Sequence, residues 1–125
     1  MSSDAADERT MQSTTDQLTQ MYEAFNARDV DRVLREMAAD GDWPNGWEGG
    51  RVVGHDPVRK YWQRQWAAID PKVTPVGFTD LPDGRVRVQV HQVVHDHEGR
   101  LLADTRVVHT YSFVDGLIQS MEMEG

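Results

Sequence analysis

The spacing of apolar residues predicts helices in the first part of the chain. One apolar stripe at helical intervals is formed by Leu18, Met21, Tyr22 and Phe25. This first helix is expected to begin near position 13 and to end around Ala27. Asp29 then has the position of an N-cap for a second, shorter helix. The inward residues of that second helix are expected to be Val30, Val33, Leu34 and Met37.

A third helix is indicated by Asp56 followed by Pro57, because proline at the first helical position loses no needed donor. It should stop before Pro71, and its inward face is expected to hold Val58, Tyr61, Trp62, Gln65, Trp66 and Ile69. Residues 39–54, between the second and third helices, contain too many glycines for a helix. We interpret them as an irregular strand followed by a turn. One face of that strand would carry Trp43, Asn45 and Trp47.

The second half of the chain has the alternation of β-strands. A short strand is predicted over Pro75 to Thr79, followed by a turn at residues 81–84. The next strand has one face formed by Val86, Val88, Val90, Gln92 and Val94. In the return strand, one face is formed by Val107, His109, Tyr111 and Phe113. In the last strand, Met121 and Met123 lie on the same face. Helices first and antiparallel hairpins afterwards predict an α+β domain, with helices on one side of a curved sheet.

Composition narrows the function. The chain has 125 residues, a net charge of −8 and no cysteine. The acidic balance argues against nucleic acid and anionic membranes as partners. Without cysteine or a signal-peptide pattern, the expected location is the cytoplasm. Residues 1–13 are polar, acidic and aperiodic, so we expect a disordered leader before a single domain at 14–125.

Three stretches carry a resemblance to a known superfamily. They are "MYEAFNARDVDRVLREMAADGDW", the glycine before "DPVRKYW", and the terminal "YSFVDGLIQSMEMEG". Together they resemble the nuclear-transport-factor-two-like superfamily, and within it the SnoaL-like and ketosteroid-isomerase-like group, from residue 14 to the end. The resemblance implies a cone in which a strongly bent antiparallel sheet wraps three helices around a hydrophobic cavity. Many relatives form homodimers through the outer face of the sheet, so a homodimer is expected here.

The residues that would carry steroid isomerisation in that family are replaced in this chain. By the resemblance, the carboxylate base falls on Asn45, the oxyanion-hole tyrosine on Met21 (with Tyr22 one residue out of phase), and the oxyanion-hole aspartic acid on His109. An amide cannot abstract a carbon-bound proton, and a thioether cannot donate a hydrogen bond. Isomerisation by that mechanism is therefore excluded.

The same register predicts which side chains point into the cone. They are Trp43, Asn45, Trp47, Trp62, Trp66, Val88, Val90, Gln92, His109, Tyr111, Met121 and Met123. We interpret this aromatic and apolar set as a small-molecule site. Our hypothesis is that His109 acts as general acid–base, with Asn45, Gln92 and Tyr111 orienting a carbonyl or hydroxyl group. The other side chains would bind a small apolar or aromatic substrate of an isomerase, cyclase or hydratase, with no metal or organic cofactor.

A ligand without positive charge suits a cavity that contains no carboxylate, although four tryptophans keep a cation possible through cation–π contacts. Several alternatives stay open. His109 can be a satisfied core histidine, and the pair Trp62 and Trp66 can be ordinary core packing. The whole protein can be a non-catalytic binding module, or a dimeric interaction domain whose cavity is filled by tryptophan.

The remaining titratable residues give weaker candidates. His91 and His95 lie four residues apart on a strand, roughly 13 Å, which is too far to share a metal ion. His95 and His97 flank a turn without an obvious third ligand, so no metal site is predicted. Asp42 and Asp104 have the wrong parity for the cavity and would turn inward only through a bulge.

Overall fold

The computed structural model describes residues 3–45 and 49–124, with side chains from residue 14 onward. The helices are α1 (Ser3–Asn26), α2 (Val30–Arg35) and α3 (His55–Ala68). The strands are β1 (Met37–Pro44), β2 (Arg51–Val53), β3 (Asp70–Asp80), β4 (Val86–His95), β5 (Leu101–Val114) and β6 (Leu117–Glu124). They form one curled sheet in the order β2-β1-β6-β5-β4-β3. The predicted α+β architecture is confirmed, with one difference: β1 and β6 pair in parallel, and the other neighbours are antiparallel.

The first two helices end close to the predicted positions. α1 stops at Asn26, whose side-chain amide exchanges two hydrogen bonds with the backbone of Val73 on β3, at 2.7 and 2.9 Å. Asp29 caps α2 as predicted, by accepting a hydrogen bond from the backbone N–H of Arg32. α2 ends at Arg35, and Met37 is the first residue of β1. Met37 is buried as predicted, but it lies on the strand, whereas the prediction placed it on the helix.

The start of α1 differs from the expected one. The helix begins at Ser3, whereas the apolar spacing predicts a start near position 13. The periodic apolar stripe itself begins only at Leu18. The division into a leader at 1–13 and a domain at 14–125 stays a prediction.

α3 begins at His55, two residues before Pro57, the first helical position that the Asp-Pro pair predicts. Its N-cap is Gly54, with φ 93° and ψ 160°, a conformation essentially restricted to glycine. The imidazole Nε2 of His55 donates a hydrogen bond to the carbonyl oxygen of Met37, 2.9 Å away, and thereby ties the start of α3 to β1. From this anchor α3 buries Val58, Tyr61 and Trp62 against the sheet.

Strand β3 is longer than predicted. The sequence indicated a strand over residues 75–79 only. The strand runs over Asp70–Asp80 and lies at the edge of the sheet, where one row of backbone groups has no partner strand. Proline is tolerated at such an edge because its missing N–H is not needed for the ladder.

The three C-terminal strands agree with the alternation of the sequence. The predicted inward valines of β4 are buried at positions 86, 88, 90 and 94. Turns close at Leu81–Arg85, at Asp96–Arg100 and at Asp115–Gly116. The inner face of this hairpin array therefore packs against α1 and α3, and the cavity lies between them. Within the described ranges, no helix has the length and apolar character needed to cross a membrane.

Candidate functional site

A cavity of about 360 Å³ lies between α1, α3 and the inner face of the sheet. Its volume is in the range of small-molecule sites. No described side chain that lines it is an acid, a lysine or an arginine. The lining residues are Met21, Tyr22, Phe25, Val33, Trp43, Pro44, Tyr61, Trp62, Gln65, Ile69, Pro71, Val73, Gln92, Thr105, Val107, His109, Tyr111, Met121 and Met123.

Three polar side chains form a buried hydrogen-bonded group on the cavity wall, which we call the Tyr–His–Tyr group: Tyr22, His109 and Tyr111. The Tyr22 hydroxyl oxygen lies 2.8 Å from Nδ1 of His109 and 2.7 Å from the Tyr111 hydroxyl oxygen. The direct distance from the Tyr111 hydroxyl to Nδ1 is 3.5 Å. Tyr22 is therefore the central member. His109 and Tyr111 share a face of β5 because they are two residues apart on a strand, and Tyr22 meets them from α1.

Burial sets the protonation of this group. Desolvation lowers the pKa of His109 to about 4, so its imidazole is neutral at pH 7. Desolvation likewise raises the pKa values of Tyr22 and Tyr111 well above that of a free phenol. The hydrogen bond with Tyr111 lowers the pKa of Tyr22 and so offsets part of this increase. At neutral pH the group holds three uncharged side chains that still carry exchangeable protons.

The aromatic residues form a continuous wall beside the Tyr–His–Tyr group. Trp43 meets Trp62 edge to face, with 5.5 Å between the ring centroids, and it meets Tyr111 at 5.9 Å with the two rings tilted by 55°. Phe25 contacts Trp62 at 5.5 Å from the opposite side. Such edge-to-face pairs add to area burial and hold the rings in fixed orientations. The wall is therefore preformed, and a flat ligand would meet ring faces and edges over most of its surface.

A second polar region lies on neighbouring strands. Gln92 on β4 is directly opposite Thr105 on β5, and both line the cavity. Gln65 on α3 also lines it. Gln92 and Thr105 supply an amide and a hydroxyl group from the sheet, and Gln65 supplies an amide group from α3. A ligand could thus be hydrogen-bonded at two places while its body contacts aromatic carbon.

The structure brings together much of the predicted cavity set. The predicted residues that line the cavity are Trp43, Trp62, Gln92, His109, Tyr111, Met121 and Met123. Val88 and Val90 are fully buried but belong to the core and not to the cavity lining. Trp66 also lies outside the lining, where it stacks on Trp62 at 6.1 Å. Trp47 lies outside the described residues.

Asn45 occupies a different place from the predicted one. It follows the end of β1, is 7% exposed, and its backbone bonds with Gly49 and Gly50 close the connection to β2. It is not among the residues that line the cavity. Asn45 is buried, but its neighbour Pro44 lines the cavity and Asn45 itself does not.

Tyr22 is the residue that sequence reasoning missed. Alignment on the family placed Met21 at the tyrosine position and Tyr22 out of phase, yet both line the cavity. Because the concave sheet surrounds a wide arc of α1, two adjacent helical positions can both face the interior. The apolar stripe already contained Tyr22, so its inward direction was available from the sequence, but its partners on β5 were not.

Neither acidic candidate turns into the cavity. Asp42 pairs with Arg51 at 2.6 Å, and Asp104 pairs with His91 at 2.6 Å on the outer side of the sheet. His97 donates from Nε2 to the carbonyl oxygen of Trp66. In the part of the chain that is described, no three histidine or acidic residues are placed to hold a metal ion. The three described tryptophans, Trp43, Trp62 and Trp66, leave a cavity of about 360 Å³ unfilled.

Comparison with known proteins agrees with this architecture. The family model described as a SnoaL-like domain matches residues 18–121. The chain belongs to the SnoaL-like domain family. None of the curated proteins matches it at the sequence level. The fold with its cavity is therefore that of a SnoaL-like domain, and its chemistry has to be argued from the cavity.

Solved structures of similar fold extend over most of this SnoaL-like chain. TerC, co-crystallised with polyporic acid, is 24% identical with a TM-score of 0.77, covering 89% of each chain. An NTF2-like protein of unknown function from Burkholderia pseudomallei K96243 is 26% identical with a TM-score of 0.77, covering 89% of this chain and 88% of its own. A putative polyketide cyclase from Xanthomonas campestris pv. campestris is 24% identical with a TM-score of 0.73, covering 90% and 89%.

Proposed function

We propose that this SnoaL-like protein binds a small, largely apolar aromatic molecule in its cavity and acts on it as an isomerase, cyclase or hydratase that needs no cofactor. The observation that carries the proposal is the Tyr–His–Tyr group on the wall of an uncharged aromatic cavity. The similar structures that contain polyporic acid, or that are described as a putative polyketide cyclase, support a planar aromatic ligand.

His109 is the group through which a proton would be exchanged with the substrate. A neutral imidazole can give its N–H proton to the substrate while its other nitrogen, Nδ1, takes the hydroxyl proton of Tyr22, 2.8 Å away. The phenolate that this leaves on the hydrogen-bonded pair Tyr22 and Tyr111 can take a proton from the substrate in return. That exchange avoids a charged histidine, which the buried position of His109 disfavours. Isomerisation and ring closure need only such a redistribution of protons within one molecule. Tyr111 would share the developing charge through Tyr22, and Asn45 is not part of this arrangement.

Binding and turnover can be measured separately. Ligand binding next to Trp43 and Trp62 should change the tryptophan fluorescence, and conversion of the ligand can be followed by mass spectrometry or by deuterium exchange from D₂O. The His109→Gln variant should keep binding and lose conversion. The matched control His91→Gln changes a histidine on the outer side of the sheet and should keep both. Conversion that survives His109→Gln would contradict the catalytic proposal.

A non-catalytic binding module is the second candidate. It is favoured by the absence of any carboxylate among the described residues that line the cavity, because a strong base is then missing. In that case ligands would bind with unchanged fluorescence response in both variants, and no product or deuterium incorporation would form. The homodimer through the outer face and the cytoplasmic location stay predictions.

A further inference from the structure

We propose that Tyr22 is a positioning residue that holds His109 as the neutral tautomer protonated on Nε2, so that the cavity recognises its ligand through a hydrogen-bond acceptor oxygen. This inference rests on the proposed binding function and specifies the ligand class of the same cavity. It concerns a conjugated, uncharged molecule with a carbonyl group, in preference to a molecule of the same shape that offers only a donor.

The positions of the protons follow from the three distances within the Tyr–His–Tyr group. Both short contacts, at 2.8 and 2.7 Å, involve the Tyr22 hydroxyl. Within the described part of the chain, the Tyr111 hydroxyl has only two polar neighbours, Tyr22 at 2.7 Å and His109 Nδ1 at 3.5 Å. Tyr111 is fully buried, so its hydroxyl proton needs an acceptor within the group.

Only one arrangement satisfies every group. If Tyr111 donates to Tyr22 and Tyr22 donates to Nδ1, both short contacts are hydrogen bonds and each hydroxyl proton has an acceptor. If Nδ1 carries the proton and donates to Tyr22, one of the two tyrosine hydroxyls is left without an acceptor in the group. If Tyr22 donates to Tyr111 while Nδ1 is bare, the 2.8 Å contact is not a hydrogen bond. A buried polar group left unpaired is costly, so the first arrangement prevails.

The ligand preference follows from the direction of the hydrogen bond between Tyr22 and His109. With Nδ1 accepting from Tyr22, the single proton of the neutral imidazole is on Nε2. The histidine then offers the cavity a donor and no acceptor. A carbonyl oxygen can accept this hydrogen bond, whereas a ligand N–H would face another N–H. The uncharged lining favours a neutral molecule, and the cavity volume of about 360 Å³ suits one with a few fused rings.

The tautomer can be read directly by long-range ¹H–¹⁵N correlation spectra of the histidine side chains at pH 7. The native protein should show His109 with a pyrrole-like Nε2 and a pyridine-like Nδ1. Tyr111→Phe, the matched control, keeps the Tyr22 to Nδ1 bond and should keep that pattern. Tyr22→Phe removes the donor and should move both ¹⁵N shifts toward the average of exchanging tautomers. A pyrrole-like Nδ1 in the native protein overturns the inference, whatever the variants show.

Ligand polarity is tested with three probes of one shape: 1-indanone as acceptor, indole as donor and indene as neither. The native protein should bind 1-indanone about two- to tenfold more tightly than indole, the range of one neutral hydrogen bond. In His109→Gln, whose amide can donate and accept, the difference should vanish. Equal or reversed affinities with an Nε2–H pattern overturn the ligand preference alone. Binding of none of the three, at concentrations near the solubility limit, contradicts the proposed binding function as well.

Discussion

Acidification from pH 7 to pH 4 should destabilise the protein through His109. Burial lowers the pKa of this imidazole from 6.5 to about 4 in the folded protein. Between these two values the unfolded chain binds a proton at position 109 and the folded chain does not. The free energy of unfolding therefore falls as pH falls through this window, and the contribution is fully present only above about pH 6.5.

The magnitude follows from the difference between the two pKa values. Each tenfold change in proton affinity corresponds to about 1.4 kcal/mol, so the native protein should lose about 3 kcal/mol from this residue alone. For a domain of 125 residues that loss corresponds to a decrease in Tm of about 10 °C. The other four histidines are outside the buried Tyr–His–Tyr group, so they do not contribute through it.

The assay is urea unfolding, followed by circular dichroism at half-unit intervals between pH 7 and pH 4, for the native protein and His109→Gln. Glutamine keeps an amide near Tyr22 but does not titrate. The difference in unfolding free energy between the two proteins should therefore shrink by about 3 kcal/mol as pH falls. Parallel pH profiles would refute the reasoning, since they would mean that His109 is protonated in the folded state as readily as in the unfolded one.

Alkaline pH should act on the two tyrosines of the Tyr–His–Tyr group: because the pKa values of Tyr22 and Tyr111 are raised in the folded state, stability is lost as pH rises above about 10, and their tyrosinate absorbance should appear together with unfolding. In a protein that carries both Tyr61→Phe and Tyr111→Phe, Tyr22 is the remaining tyrosine, and tyrosinate formation that precedes unfolding would argue against burial of its hydroxyl. Gly54→Ala should cost about 1–3 kcal/mol in thermal unfolding, since φ 93° and ψ 160° are strained for alanine although space for its Cβ exists. Trp62→Ala should cost about 3–5 kcal/mol, because Trp62 is 2% exposed and supports both Phe25 and Trp43; a loss below about 1 kcal/mol in urea unfolding would contradict that packing.

Local sequence patterns predicted a helix or strand correctly where the element buries a single face. The alternation of β4 and β5 predicted both strands and placed His109 and Tyr111 on one inward face. The apolar stripe of α3 likewise predicted Val58 and Trp62 as inward. Prediction was wrong where neighbours override local preference. β3 extends through two prolines because it is an edge strand, and α2 ends before Met37 because β1 begins there.

The cavity lining likewise could be predicted only in part from local sequence patterns. Asn45 was expected in the cavity lining from the parity of Trp43; it is buried but lies outside the lining. Val88 and Val90 lie on the predicted face of the sheet, but they are core residues and do not line the cavity. Parity predicts which face of the sheet a side chain is on, and it does not predict where along that face the cavity lies. Trp66 lies on the correct face of α3 but packs behind Trp62 and Phe25.

The sequence by itself determined the order of the helices and of every strand except β2, the family and the inward direction of His109 and Tyr111, because periodicity and motifs are local properties of the chain. Only the tertiary structure decided that a hydroxyl from position 22, far away in the chain, is interposed between these two side chains. It also decided that the histidine is neutral at pH 7. Both facts depend on distances and on exclusion of water, which are fixed only when α1 packs into the concave face of the sheet.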